Sequence, residues 1–480
     1  MTDRGLAGLE RSLLFQRTYR LALMALAVSA AAFGRTEPLR MAQASVNITP
    51  PLEMPFQVPQ RPPYPVVPAE GIHDPLHAKA VVFAQGGTRA AIVACDVTAL
   101  PMAIVTKARQ LVGEMTSVPP ENIMITATHT HTGPVLGPRF FQHAPPAQMK
   151  IALDYLERLP GMIVESVRLA EKNLTEAQVQ AAIGEVPDVA FNRRFLMRSG
   201  LVSVNPGARA VAKGEVIRPA GPTDPSLPML YFATPDGEPL ATMVNFAIHL
   251  DTMTGFSYSA DFPYQLAKIL ADVKGPGMLT HFTIGAAGDI NHYRIIDPRE
   301  PRFGHGAQES ARIGTLLAGE VVRNYDRMET LAGGPLRVSR EMVPLIANKK
   351  LRADSDQAPV DETAEDSKGL KPAINPYAFE AEIMTITLGD QVAFVGMPGE
   401  IFVEHGLVLK VKSPFKYTFI NALANGGIGY VPTRKALSEG AYGASLTSTR
   451  CTPGSGEALV ASALRQLIAN RAAKYNPNRR

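Results

Sequence analysis

The chain has 480 residues, 46% hydrophobic and 19% charged, with 48 Lys+Arg against 44 Asp+Glu for a formal charge of +4. That apolar content over that length supports a large core and excludes disorder as the dominant state. Residues 1–40 hold six arginines and three acids, so the remainder is close to neutral. With no global positive field and no basic stripe interleaved with aromatics, nucleic-acid binding is excluded as the main activity. Cys95 and Cys451 are the only cysteines, which removes a disulfide framework and a cysteine-rich zinc module; ten histidines leave material for a nitrogen-ligated metal.

In chain order, Arg11, Arg17 and Arg20 precede the apolar run Leu21–Gly34. A run of 14 residues is too short to cross a bilayer core of about 30 Å but has the size of a secretory h-region. Small-residue sites follow at Ala30-Ala31-Ala32 and Ala42-Gln43-Ala44. Residues 1–44 therefore read as an export signal and spacer, and 45–480 as the exported domain, without a stable transmembrane anchor. A short opening strand at Ser45–Pro50 leads into a proline-dense loop ending at Pro68. Alternating apolar segments around Gly86-Gly87 predict a hairpin, then a helix over Met102–Met115 and a strand over Asn122–Ala127. A long helical pattern covers Met149–Leu174, and Pro235-Asp236-Gly237 marks a second hairpin followed by a helix from Phe262. A strand at His281–Gly288, a helix over His305–Tyr325, strands near Glu380–Leu388 and Gln391–Val395, and a last helix over Gly456–Ala473 complete the pattern. Asn348–Lys371 is charged and nearly devoid of large apolar residues, which predicts a surface excursion. Hairpins mixed with strand-helix alternation predict an α/β fold, one large domain with mixed β-sheets flanked by helices.

Four places carry candidate chemistry. His129 and His131 in THTHTGP lie at a strand end and share one side if the strand continues, so they suit a shared metal, a ligand beside a proton carrier, or a hydrogen-bonded structural pair. His249 ends the apolar strand MVNFAIH, where a satisfied structural histidine is the alternative; Asp251 can support it only if the backbone bends. Glu400 in GMPGE precedes a helix and fits either a ligand or an N-terminal cap. Tyr430 and Tyr442 stand in Gly-rich loops, where packing is the plain reading. The cluster His73, Asp74 and His77 reads as structural.

Taken together, THTHTGP, NFAIHLDTM with SADFP behind it, IGAAGDIN, GMPGE, GYVPT and AYGAS resemble, in order, the catalytic domain of the neutral/alkaline ceramidases, zinc amidases that split ceramide. The resemblance implies Zn²⁺ held by His129, His249, Glu400 and Tyr430. It further implies His131 as a proton-transferring neighbour, Tyr442 at the oxyanion, Arg193 as the active-site arginine, and attack on an amide or ester carbonyl by zinc-bound hydroxide. Two departures accompany it. Asn291 stands where that family has a functional serine, which removes a hydroxyl at this position but leaves an amide able to donate to a substrate carbonyl. The sequence also stops soon after Tyr442, without the additional C-terminal β-domain of ceramidases. The expected function is an exported zinc-dependent hydrolase acting on a small-molecule or lipid amide that need not be ceramide. A true ceramidase and a non-catalytic exported zinc-binding protein are the alternatives, and the oligomeric state is left open.

Overall fold

The computed structural model describes residues 37–56, 67–134, 136–137, 144–295, 304–348 and 377–473. Residues 38–473 fall in one compact unit. Most of the expected export signal, and the excursion beyond Asn348, lie outside the described residues.

Strand β1 (Arg40–Asn47) runs antiparallel to β2 (His77–Gln85), which turns through Gly86 and Gly87 into β3 (Thr88–Cys95). Both glycines have positive φ, +55° and +82°, as a two-residue hairpin turn of the type I′ family requires. Helix α1 (Met102–Met115) then returns the chain to β4 (Ile123–Ala127), parallel to β3, and α2 (Pro146–Lys172) covers β1 and α1.

The plan recurs twice. After β5 (Gln178–Glu185) and β6 (Phe191–Asn192), the hairpin β7 (Ser226–Ala233) and β8 (Pro239–Phe246) is followed by α3 (Phe262–Lys274) and by β9 (Leu279–Ile284), parallel to β8. β10 (Ile290–Asn291) pairs with β6, and α4 (Ala307–Tyr325) packs on α3. The third unit has β11 (Leu336–Ile346), then β12 (Ala378–Leu388) and β13 (Val392–Gly396) as a hairpin, β14 (Glu400–Ile401), α5 (Val403–Lys412), and β15 (Tyr417–Asn421) parallel to β13. β16 (Tyr430–Val431) pairs in parallel with β14, ahead of α6 (Arg434–Glu439) and α7 (Ser455–Ala472).

Each unit contributes one sheet. Strands β3 and β4, β7 and β8, β13 and β15 are buried on both faces, as their nearly unbroken apolar sequences dictate, while β1, β5 and β11 are partly open to solvent. Inner-face residues Val81, Phe83, Leu230, Phe232, Met384, Ile386 and Phe394 from all three sheets form one core. The Phe83 ring lies 5.8 Å from Phe232 and 6.1 Å from Phe394, centroid to centroid, so one side chain joins the three sheets. Alternate residues, such as Ala80, Val82, Ala91 and Val93, belong to the outer core beneath the helices. The opening strand starts at Arg40 instead of Ser45, because Met41 and Ala42 are buried and their backbone is paired with β2. Both cysteines are buried and free. Among the described residues, no helix is long and apolar enough to cross a membrane.

Candidate metal centre

The site gathers where the parallel pairs β3/β4, β8/β9 and β13/β15 reach their carboxyl ends, the usual place for a crevice beside such strands. His129 follows β4, His249 follows β8, and Glu400 follows β13 and opens β14. The two histidines of THTH do not meet through strand alternation. β4 ends at Ala127, and His129 sits at φ +74°, left-handed space that costs a non-glycine residue about 1–3 kcal/mol. The turn is held by His129 N–H on the Val97 carbonyl at 3.0 Å.

The ring tautomers follow from the backbone. His129 Nδ1 is 2.6 Å from the Thr98 carbonyl, and His249 Nδ1 is 2.8 and 3.0 Å from those of Ala287 and Ile290. A carbonyl only accepts, so each Nδ1 carries hydrogen and, in the neutral ring, each Nε2 presents a lone pair. His249 Nε2 lies 3.2 Å and His129 Nε2 3.5 Å from Glu400 Oε2, while His131 Nε2 is 3.3 Å from His129 Nε2. His249 Nε2 and Glu400 Oε2 are shut off from solvent and make no hydrogen bond.

The two separations from Glu400 Oε2, 3.2 and 3.5 Å, match the edges of a tetrahedron of ligand atoms, about 3.4 Å for bonds of about 2.1 Å. The three histidines each offer one nitrogen within 4.8 Å of the others. Imidazole nitrogens gathered about a buried carboxylate oxygen, with His249 Nε2 and Glu400 Oε2 both unbonded, fit a divalent ion such as zinc.

The electrostatics agree. Burial opposes ionisation of Glu400, yet His129 and His249 hold its carboxyl well below the usual range. Burial also depresses His129, but the Glu400 carboxylate outweighs it and lifts the net value. Burial and then Arg193 lower His249. Burial, reinforced by His129, pushes His131 down to about 3, leaving that ring neutral with a free lone pair.

Across the parallel β14/β16 ribbon, Glu400 is registered with Tyr430. The buried Arg193 guanidinium donates to the Gly288 carbonyl at 2.6 Å and to the Tyr430 hydroxyl at 3.1 Å. Tyr430 in turn donates to Tyr442 at 3.4 Å. Tyr442 is 57% exposed, so the row runs from the buried centre to the surface.

Residues 66–257 match the family model for the neutral/alkaline non-lysosomal ceramidase N-terminal domain. A solved structure titled as a ceramidase complexed with C2 superposes with a TM-score of 0.67 at 18% identity, over 92% of this chain and 78% of that one. The neutral ceramidase of Pseudomonas aeruginosa gives 0.66 at 18% identity, over 92% and 77%. The chain has the neutral ceramidase fold. No functionally curated protein matches significantly by sequence.

The ceramidase family match contains His129, His131, Arg193 and His249; Asn291, Glu400, Tyr430 and Tyr442 lie beyond it. Glu400 does not cap the following helix, whose N-cap is Phe402. Asn291 is fully buried, donating to Asn205 at 2.9 Å and accepting from the Tyr293 N–H at 3.1 Å. Asp251 turns to His292, Oδ1 to Nδ1 3.1 Å. Asp74 is engaged by His73 and by the Ser259 hydroxyl. The carbonyls of Thr98, Ala287 and Ile290 were not foreseen; backbone acceptors leave no mark in side-chain identity.

Proposed function

We propose that the chain is an exported zinc-dependent hydrolase that cleaves an amide, or an ester, in a lipid-like substrate. The observation that carries this reading is the convergence of His129 Nε2, His249 Nε2 and Glu400 Oε2, each ring fixed by a backbone carbonyl. In this reading His129, His249 and Glu400 hold the ion, with Tyr430 as fourth donor. Zinc bound there supplies a Lewis acid and water acidified to near neutrality. Neutral His131, beside that set, accepts a proton from water and returns it to the leaving group. Tyr442 donates to the substrate carbonyl oxygen as charge grows on it, and Arg193 holds the tyrosine row in place. The Asn291 amide, one hydrogen of which is bonded to Asn205, keeps a second N–H for substrate. The absence of a hydroxyl there makes water, activated at the centre, the nucleophile.

The test is elemental analysis of the purified chain together with hydrolysis of a short N-acyl amine and of ceramide. About one zinc per chain is expected, lost in His129→Ala along with hydrolysis. Absence of stoichiometric zinc in the wild type, or equal zinc in the variant, overturns the reading. Release of sphingosine at a rate matching the simple amide would narrow the substrate to ceramide.

A further inference from the structure

Asp251 stands two residues past His249, on the segment whose Leu250 carbonyl accepts the His131 N–H at 2.9 Å. Its Oδ1 is 3.1 Å from His292 Nδ1, and Nε2 of the same ring is 2.8 Å from the Gly304 carbonyl. Both ring nitrogens face acceptors, so both carry hydrogens, and the imidazolium cannot turn without losing a bond. The His292 side chain is fully buried, whereas that of Asp251 keeps 20% of its surface open. The flanking Leu250 and Thr252 are buried, and among the described residues the second Asp251 oxygen has no hydrogen-bond partner.

A carboxylate tethered by one oxygen and open at the other is a ready hydrogen-bond acceptor. We propose that Asp251 is a specificity-determining residue, its free oxygen accepting a hydrogen bond from a hydroxyl or N–H on the leaving-group portion of the substrate, with His292 fixing its direction. Which portion of the substrate lies on this side rests on the hydrolase reading above, through the placement of His131. A buried imidazolium that needed only charge compensation would leave Asp251 indifferent to substrate, and this is the outcome the experiment must separate.

The probes are N-hexanoylethanolamine and N-hexanoylpropylamine, which differ by hydroxyl against methyl. In calorimetric titrations of the metal-depleted full chain, where no turnover occurs, the hydroxylated amide is expected to bind about tenfold more tightly. Asp251→Ala should bring the two within about twofold, and His292→Gln, which loses the double tether, should narrow the gap. Equal binding by the wild type, or a ratio unchanged in Asp251→Ala, overturns the proposal. Equal wild-type binding overturns it even where a variant fails to fold, and Asp251→Asn, which keeps the size but weakens the acceptor, then carries the assignment. Turnover by the zinc-loaded chain is read separately: hydrolysis of both amides without discrimination sinks the subsite and leaves the hydrolase reading standing. Discrimination in binding without hydrolysis does the reverse.

Discussion

His249 Nε2 lies 3.2 Å from Glu400 Oε2, and neither buried atom makes a hydrogen bond. Two acceptors facing each other away from water cost free energy unless a proton or a cation lies between them. Glu400→Gln keeps the size and removes the charge. It is expected to weaken zinc binding at least about 100-fold, measured by competition with a chromogenic chelator. A change of less than about threefold would remove Glu400 from the ligand set.

Gly288 is the hinge between this carboxylate and the arginine. A Cβ added there would stand 2.4 Å from the Glu400 carbonyl oxygen and 2.8 Å from its carbonyl carbon, both backbone atoms. The Gly288 N–H also donates to Ile401 at 2.7 Å, and its carbonyl accepts from Arg193. Gly288→Ala should therefore displace β14, costing about 1–3 kcal/mol in denaturant unfolding and lowering zinc occupancy with it. Wild-type stability and occupancy in this variant would show that β14 is free to shift.

His281 lies fully buried in β9, away from the metal centre's donors, with both ring nitrogens lacking a hydrogen-bond partner. Burial, aided by Lys79, pushes it down to about 4. A histidine unfolds to an ordinary value of about 6.5. Its folded value is depressed, so the stability it contributes is complete above about pH 6.5 and declines as pH falls towards 4, by up to about 3 kcal/mol in total. His281→Leu should flatten that acid limb, read as the difference between wild-type and variant unfolding free energies from pH 7.5 to 4.5. Parallel curves would place the acid sensitivity elsewhere.

The export reading acquires a boundary from β1. Arg40 to Ala44 are registered with Ala84 to Ala80, and the Arg40 guanidinium donates to the Leu174 carbonyl. Cleavage after Ala44 would remove more than half of an eight-residue strand that closes the first sheet. Mass spectrometry of the exported protein should find the new N-terminus between residues 31 and 39. A chain starting at Ser45 should melt a few degrees lower, about 1 °C for each kcal/mol lost in a unit of this size. Equal melting of the two forms would show that the upstream half of β1 contributes nothing.

Local signals in the sequence were sufficient for the hairpins and the main helices, but they did not mark β5, β11 or β15, and they began β1 five residues late. Gly86-Gly87 marks the first hairpin, Gly237 with φ +91° the second, and α1 spans the residues its periodicity predicts. Fold class followed from the order of those elements. The enclosure of one core by three sheets did not, because it depends on Phe83 meeting Phe232 and Phe394 across 149 and 311 residues, a register that no local pattern carries. At the site the candidate residues were readable from strand ends, but the reason the His129 and His131 rings meet was not. It is a left-handed backbone at His129, whereas a shared strand face would have required the strand to continue. The contact of Asp251 with His292 spans 41 residues and could only be seen folded.

The three-unit plan has a consequence for how the protein comes apart. His129 belongs to the first unit, His249 to the second and Glu400 to the third, so none of the three units alone contains the candidate donor set. An ion held there would act as a rivet through three plates, locking the units against sliding while adding nothing within any one of them. Metallation would then require all three units to be docked together. Its loss should loosen the joints between the sheets before any sheet itself frays.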